Sequence, residues 1–296
     1  MHLDLDYLKS FYENRKIRVV LKILILVLTL FVIATYGWML YVNFDEIGKY
    51  FYRINLPLFI FAIIFSFGVA LIVGKRLQIM VKIVTNSNIS FKDSLKILFS
   101  ANSLGHVTPA NLGEFSKIEF IRNKTGCSRK KCLIVPLSER ILDVAILAVF
   151  AFATNIIMLC FFLLLTSIIA TYSMYKKIVN NKFGIIKIVL LSIVHKIGIV
   201  FSLMFIIYSL DVNIGFVQAS NILGVSLLAG IISYLPGGWG TREFSMGFLL
   251  QGAITNIGIA LLIPLLYALM LGIMIIVGFV VFYKSIKIDN SKATKK

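Results

Sequence analysis

Acidic residues are scarce in this chain of 296 residues, which has 13 Asp and Glu residues against 30 Lys and Arg residues. Cysteine and histidine are scarcer still, with 3 of each. The sequence contains no Walker A motif, no G-x-G-x-x-G fingerprint and no H-E-x-x-H pair, so these nucleotide and zinc-protease motifs are excluded. Cys127 and Cys132 have no nearby His, and Cys160 lies in an apolar run as an inert filler. We therefore expect neither a metal nor a cofactor.

Apolar residues make up 59% of the chain, more than is usual for a soluble domain. Several apolar runs reach the ~20 residues that a helix needs to cross a hydrocarbon core of ~30 Å. The runs are 19–42, 56–74, 133–153, 155–174, 185–209 and 259–283. The predicted fold class is therefore an all-α polytopic membrane protein. Its single transmembrane domain would span 19–283, between a cytoplasmic segment at 1–18 and a basic cytoplasmic tail at 284–296.

A short motif occurs twice, each time inside a further apolar stretch. The first motif is Pro109-Ala110-Asn111-Leu112-Gly113-Glu114-Phe115-Ser116, within 93–122. The second motif is Pro236-Gly237-Gly238-Trp239-Gly240-Thr241-Arg242-Glu243-Phe244-Ser245, within 216–256. Because Pro interrupts a helix, each stretch is predicted to be a broken re-entrant hairpin whose helix restarts near Gly113 or Gly240. The expected break residues are Pro109, Gly113, Pro236, Gly237, Gly238 and Gly240.

The basic residues are distributed unevenly along the chain. If both termini are cytoplasmic, 24 of the 30 Lys and Arg residues lie in segments that face the cytoplasm, whereas the outer loop 43–55 has only Lys49 and Arg53. The cytoplasmic segments are 1–22, 75–92, 117–131, 175–187 and the tail from 284. This pattern predicts a plasma-membrane protein with both termini inside. It favours contact with anionic lipids over nucleic acid.

The same topology predicts two repeats. Each half reads as span, span, broken hairpin, span, with repeat one at 19–153 and repeat two at 155–283. Because three full spans is an odd number, the second repeat would be inserted upside down, as in many transporters. The alternative is eight full spans, in which one or both hairpins cross completely.

Ionisable residues inside apolar helices are costly and mark candidate sites. Glu139, Arg140 and Asp143 share one span, where they form either a structural ion-pair network or a site at which Arg140 binds a phosphate. Glu114 and Glu243 either cap their helices or belong to a functional site. Two further candidates remain open. Arg242 would approach Glu114 or a lipid phosphate, and His106 would line the same cavity or donate a hydrogen bond at a helix end.

A pair in the fifth span gives a weaker signal. We interpret His195 as a satisfied buried histidine and Lys196 as a snorkelling lysine, with a proton relay as the alternative.

These motifs resemble the flippase-like, lysylphosphatidylglycerol synthase transmembrane-region family over about 15–285. The matching residues are Pro109, Gly113-Glu114, Lys117, Arg122, Glu139-Arg140 and 236–243. The resemblance implies lipid handling. In two-part members this region moves lysylphosphatidylglycerol between leaflets, and a separate cytosolic domain attaches lysine from aminoacyl-tRNA. Because this chain ends at Lys296, shortly after the last apolar run, we expect it not to carry out lysyl transfer alone.

The leading hypothesis is a lipid translocase for a phospholipid or lipid-linked glycan, with membrane lipids as partners. Arg140 and Arg242 would hold the phosphate, while Glu114 and Glu243 would meet an amine or sugar hydroxyls, or balance the arginines. Two alternatives stay open. One is a membrane glycosyl- or aminoacyltransferase that uses Glu139 or Asp143 as base or metal ligand. The other is a scaffold that recruits a cytosolic synthase or glycosyltransferase through the basic loop, residues Lys124, Arg129, Lys130 and Lys131.

Overall fold

A computed structural model of the chain describes residues 15–152, 182–233 and 235–293. The predicted span at 155–174, with Cys160, lies outside the described residues. As predicted, the described part of the chain is helical and has no strand. Its ten α-helices are α1 (Arg15–Val42), α2 (Phe44–Phe51), α3 (Leu56–Thr85), α4 (Phe91–Val107), α5 (Lys117–Thr125), α6 (Arg129–Ala151), α7 (Lys182–Tyr208), α8 (Phe216–Ile232), α9 (Thr241–Gln251) and α10 (Ile257–Ala293). Two 3₁₀ segments, Pro109–Ser116 and Pro236–Gly238, lie between α4 and α5 and between α8 and α9.

Three described helices are both long and apolar enough to cross a membrane: Leu56–Thr85 in α3, Phe183–Tyr208 in α7 and Ile257–Lys284 in α10. The outward faces of the long helices carry exposed apolar side chains, including Phe31, Ile64, Ile186 and Ile276. In water, an apolar surface of this extent would promote aggregation, whereas in a bilayer it faces lipid. The helices therefore form a membrane-embedded bundle.

Local sequence sets the ends of the helices around the first broken stretch. The Asn55 side chain accepts a hydrogen bond from the Leu58 N–H at 3.2 Å and so caps the start of α3. At the other end, Asn86 adopts a left-handed conformation with φ of 56° and terminates this helix. Ser90 begins α4 in the same way, because its Oγ accepts from the Asp93 N–H at 3.0 Å.

Helix α3 is longer than the apolar run 56–74 predicts, so Arg76 lies within the helix and not in the loop after it. The charge pattern assigns Arg76 to a cytoplasmic segment, but the helix continues to Thr85 and Arg76 is only 2% exposed. Lys117 is likewise assigned to a cytoplasmic segment, yet it is 4% exposed at the start of α5. Both side chains turn inward to buried carboxylates, which the charge count does not consider.

Helices from the two halves of the chain pack against each other. Helix α3 packs along α7, α4 along α10, and α6 along α8. Close approach is possible where glycines face the neighbouring helix: a Cβ on Gly198 would lie 2.7 Å from the Val69 side chain, and one on Gly224 would lie 2.6 Å from the Ala151 backbone nitrogen. The first helix of each broken stretch thereby packs against a long helix of the other half.

Candidate functional site

The first break is built around a threonine and a glycine. Helix α4 ends at Val107, and the Oγ1 of Thr108 accepts a hydrogen bond from the Gly113 N–H at 2.6 Å. Gly113 lies so close to the carbonyl group of Leu104 that a Cβ atom there would overlap it. The 3₁₀ segment is therefore held against the end of α4. The expected restart near Gly113 is wrong for this reason, and the α-helix begins only at Lys117.

The second break is built from glycines in left-handed conformations. Gly237, Gly238 and Gly240 have φ of 62°, 69° and 82°, values that residues with a Cβ rarely adopt. Helix α9 begins directly afterwards at Thr241. The Glu243 carboxylate accepts from the Gly240 N–H at 2.6 Å, so Glu243 caps the restarting helix.

The two breaks meet inside the bundle, where the two 3₁₀ segments contact each other. A Cβ on Gly237 would lie 2.6 Å from the Nδ1 of His106 at the end of α4. A cavity of about 230 Å³ opens beside this contact. Its polar lining comes from the first 3₁₀ segment and from α3, α4, α5, α6, α7, α9 and α10: Arg76, Asn102, His106, Asn111, Glu114, Lys117, Arg140, Asp143, His195, Lys196, Arg242 and Tyr267.

A network of ion pairs forms one wall of this cavity. Arg76 donates to Asp143 at 2.8 Å and to Glu139 at 3.3 Å. Lys117 pairs with Glu139 at 2.8 Å, and Lys196 pairs with Asp143 at 3.3 Å. Three cations thus share two carboxylates, and the network links α3, α5, α6 and α7. Buried charges are tolerated only when they are paired, so the network holds these helices together. Because it contains three cations and two carboxylates, it also carries an excess positive charge.

A second ion pair is more accessible. The Nη1 of Arg140 lies 3.2 Å from a carboxylate oxygen of Glu114. The two side chains are 28% and 30% exposed, in contrast to the almost completely buried Arg76. Arg140 belongs to α6 and Glu114 to the first 3₁₀ segment, so this pair links a span to a break. Among the described ion pairs around the cavity, it is the one in which both side chains are partly exposed.

Arg242 does not approach Glu114. Its guanidinium instead binds the neighbouring carboxylate of Glu243, with Nε to Oε1 at 2.9 Å and a second contact from Nη2. The guanidinium carbon also lies 5.9 Å from the Trp239 ring centroid and 5.7 Å from that of Tyr267. Paired and stacked in this way, Arg242 is fixed in position, with 3% of its surface exposed.

Several buried polar atoms in the cavity lining lack hydrogen-bond partners among the described residues. They are the Nε atom of Arg76, the Nδ1 atoms of His106 and His195 and the Oδ1 atom of Asn111. An unsatisfied buried polar group costs about 1–3 kcal/mol, so such atoms are expected to bind a ligand or water. The interpretation of His195 as a satisfied histidine is therefore wrong. Lys196 does not snorkel either, because it is buried against Asp143.

Four of the six candidate binding residues line the cavity: Glu114, Arg140, Asp143 and Arg242. Glu139 and Glu243 lie behind it, each 4% exposed and bound to cations. Sequence reasoning missed Arg76 and Asn102. No sequence signal identifies Arg76, since it follows an apolar run as a loop residue would. Tyr267, which stacks on Arg242, is likewise indistinguishable from other apolar positions of its span.

The basic loop does not line the cavity. Glu119 pairs there with Arg122 and Arg129, and the hydrogen bond from Arg129 holds the pKa of the Glu119 carboxyl below its usual value. Lys130 and Lys131 are exposed at the start of α6. Among the described residues, no group of three His, Cys, Asp or Glu side chains is arranged to hold a metal ion.

The fold and the site together define a polytopic helical membrane protein with a charged internal cavity. The chain belongs to the lysylphosphatidylglycerol synthase TM region family, whose profile matches residues 19–173, just over half of the chain. This family relates the protein to lipid synthesis or translocation. The match includes the first motif and Glu139-Arg140, while the second motif lies beyond it. A comparison with curated proteins gives no match.

Proposed function

We propose that the protein is a lipid translocase of the plasma membrane, with both termini cytoplasmic. The cavity would accept the phosphate-bearing headgroup of a phospholipid or lipid-linked glycan and pass it between leaflets. The observation that carries this proposal is the meeting of both broken helices at one cavity whose lining holds more cations than carboxylates. Broken helices at corresponding places in two halves are a common substrate site of membrane transporters.

The charge balance around the cavity supports a phosphate ligand. Among the described residues, five Lys and Arg side chains line it, against two carboxylates in the lining and two more directly behind. One positive charge therefore remains after all pairs are counted. A phosphate would compensate this charge inside a low-dielectric bundle, where an uncompensated charge is costly.

Arg140 is the residue best placed to bind the phosphate. It is partly exposed, and its described ion pair is a single contact with Glu114. Arg76 and Lys117 are buried within the network, and Arg242 is bound by Glu243 and two aromatic rings. A guanidinium has five N–H donors, and the ion pair with Glu114 uses only Nη1. A phosphate could therefore bind Arg140 beside Glu114 without disturbing any of these contacts.

The translocase hypothesis is tested with labelled phospholipid in proteoliposomes. The rate at which label becomes accessible to a membrane-impermeant quencher measures movement between leaflets. Arg140→Ala should slow translocation by about tenfold or more, because a charge-assisted hydrogen bond contributes about 1.5–3 kcal/mol. The matched control is Arg53→Ala, which removes an exposed arginine outside the cavity and should leave the rate unchanged. If both variants translocate lipid as fast as the parent, the site assignment is wrong.

The enzyme alternative has less support from the site. Glu139 and Asp143 each accept from two cations, so neither carboxylate is available as a base. Glu139 also does not line the cavity. We therefore retain the translocase as the proposed function.

A further inference from the structure

The carboxylates near the cavity determine how much positive charge on a bound headgroup the cavity can neutralise. The two that line it are both engaged: Asp143 accepts from Arg76 and Lys196, and Glu114 pairs with Arg140. A headgroup that carries additional amines needs further carboxylates in the cavity to offset the positive charge of those amines. Among the described residues, the lining offers none that is not already paired with a cation.

The carboxylates behind the lining are no more available. Glu139 is bound by Arg76 and Lys117, and Glu243 is bound by Arg242 and by the Gly240 N–H. The sequence adds no further source from residues 153–181, because this stretch contains neither Asp nor Glu. An added amine in the cavity would therefore meet an existing excess of cations and be repelled.

The neutral polar atoms of the lining suit a different headgroup. The Nδ1 atoms of His106 and His195 and the Oδ1 of Asn111 are buried without described partners. Hydroxyl groups can both donate to and accept from such atoms without adding charge. The lining is thus complementary to one phosphate accompanied by hydroxyl groups.

A smaller apolar cavity indicates where the first part of the lipid beyond its headgroup would lie. It has a volume of about 80 Å³ and adjoins the charged cavity, sharing Leu98, Asn102, His106 and Leu271 with it. Its remaining lining is mainly apolar and comes from α3, α4 and α10: Ala70, Phe99, Ser103, Met274 and Ile275. Apolar surface beside a phosphate site favours a lipid over free phosphate, because burial of hydrocarbon adds to the binding free energy.

From these contacts we infer that the cavity selects an anionic phospholipid headgroup with hydroxyl groups and discriminates against an aminoacylated one such as lysylphosphatidylglycerol. This inference rests on the proposed function, since it names the headgroup class of the same cavity. The family's namesake lipid would then be a poor ligand for this chain.

A competition experiment with the purified full-length protein in detergent tests the inference. Fluorescent phosphatidylglycerol is the bound probe, and the competitors are unlabelled phosphatidylglycerol, lysylphosphatidylglycerol and inorganic phosphate. Phosphatidylglycerol should compete about tenfold or more better than lysylphosphatidylglycerol, which corresponds to one unfavourable charge contact. Inorganic phosphate should compete more weakly than unlabelled phosphatidylglycerol, because it leaves the apolar cavity unused. Equal competition by the two lipids, or absence of competition by phosphatidylglycerol, would overturn the inference.

The variant Arg140→Gln sharpens the test, because it removes a cation and leaves the Glu114 carboxylate without its partner. The ratio of phosphatidylglycerol to lysylphosphatidylglycerol affinity should fall, whereas Arg53→Gln should leave it unchanged. An unchanged ratio in Arg140→Gln would contradict the inference. The outcome is separable from that of the proposed function: selective binding without movement in proteoliposomes would refute the translocase alone, and movement with unselective binding would refute the selectivity alone.

Discussion

The charged residues of the cavity differ in what their side chains can do. Arg76 and Lys117 are enclosed by carboxylates and hold helices together, whereas Arg140 is partly exposed beside the first break. Type and position in the sequence do not separate these roles. Burial and the number of ion-pair partners do separate them, and both support the proposal that Arg140 binds the ligand.

The buried pair of Lys117 and Glu139 gives a prediction about stability. Lys117→Met leaves the buried carboxylate of Glu139 with Arg76 as its described partner and should lower the free energy of unfolding by about 1.5–3 kcal/mol, the contribution of a hydrogen bond to a charged group. Adding Glu139→Gln should recover part of this loss, because the side chain that has lost its nearer partner is then uncharged. Thermal unfolding of the four proteins in the same detergent measures this coupling. Strictly additive losses would show that the pair does not act as a unit.

At the scale of the elements, each break depends on glycines whose lack of a Cβ atom lets another part of the backbone pack closely against them. Gly113→Ala should destabilise the protein by about 1–3 kcal/mol, because its Cβ would overlap the Leu104 carbonyl. Gly272→Ala in α10 is the matched control: nothing lies within 4 Å of its Cβ position, so a helix-favouring substitution there should be neutral or stabilising. The midpoint of thermal unfolding compares the two variants. A loss in Gly272→Ala as large as in Gly113→Ala would contradict this explanation.

The sequence predicts the elements better than it predicts the contacts of their charged residues. Apolar runs indicate α3, α6, α7 and α10, because burial in lipid demands long apolar helices whatever their neighbours. Position 76 shows the limit of this reasoning. An arginine after an apolar run is assigned to a loop unless two carboxylates on another helix are known to face it.

The first break shows the same limit. Pro109 signals that α4 must end, but the α-helix restarts at Lys117 and not near Gly113. The delay results from tertiary packing of Gly113 against Leu104 and from the bond between Thr108 and the Gly113 N–H. Neither contact can be derived from spacing alone.

At the scale of the whole molecule, the packing of helices is similar when the two halves are exchanged. The first helix of each broken stretch packs against the last helix of the opposite half: α4 on α10, and α8 on α6. The 3₁₀ segments contact each other, as do α3 and α7. Such a reciprocal pattern is expected of two repeats related by a pseudo-two-fold axis, and the inverted insertion of the second repeat stays a prediction.

The proposed topology makes a prediction that labelling can check. In a background without native cysteines, Arg53→Cys and Lys130→Cys place single thiols in two exposed regions of the chain. With both termini cytoplasmic, a membrane-impermeant maleimide added to intact cells should label the first and leave the second unlabelled until the cells are opened. Labelling of both from outside, or the reverse preference, would refute this topology.

The central claim is that a lipid headgroup binds where the two broken helices meet. Electron cryomicroscopy of the protein in nanodiscs that contain phosphatidylglycerol measures this most directly. We predict density for a phosphate within hydrogen-bond distance of Arg140, between residues 109–116 and 236–245, with further density entering the apolar cavity that α3, α4 and α10 line. A cavity without headgroup density, with ordered lipid only on the outer surface of the bundle, would contradict the account.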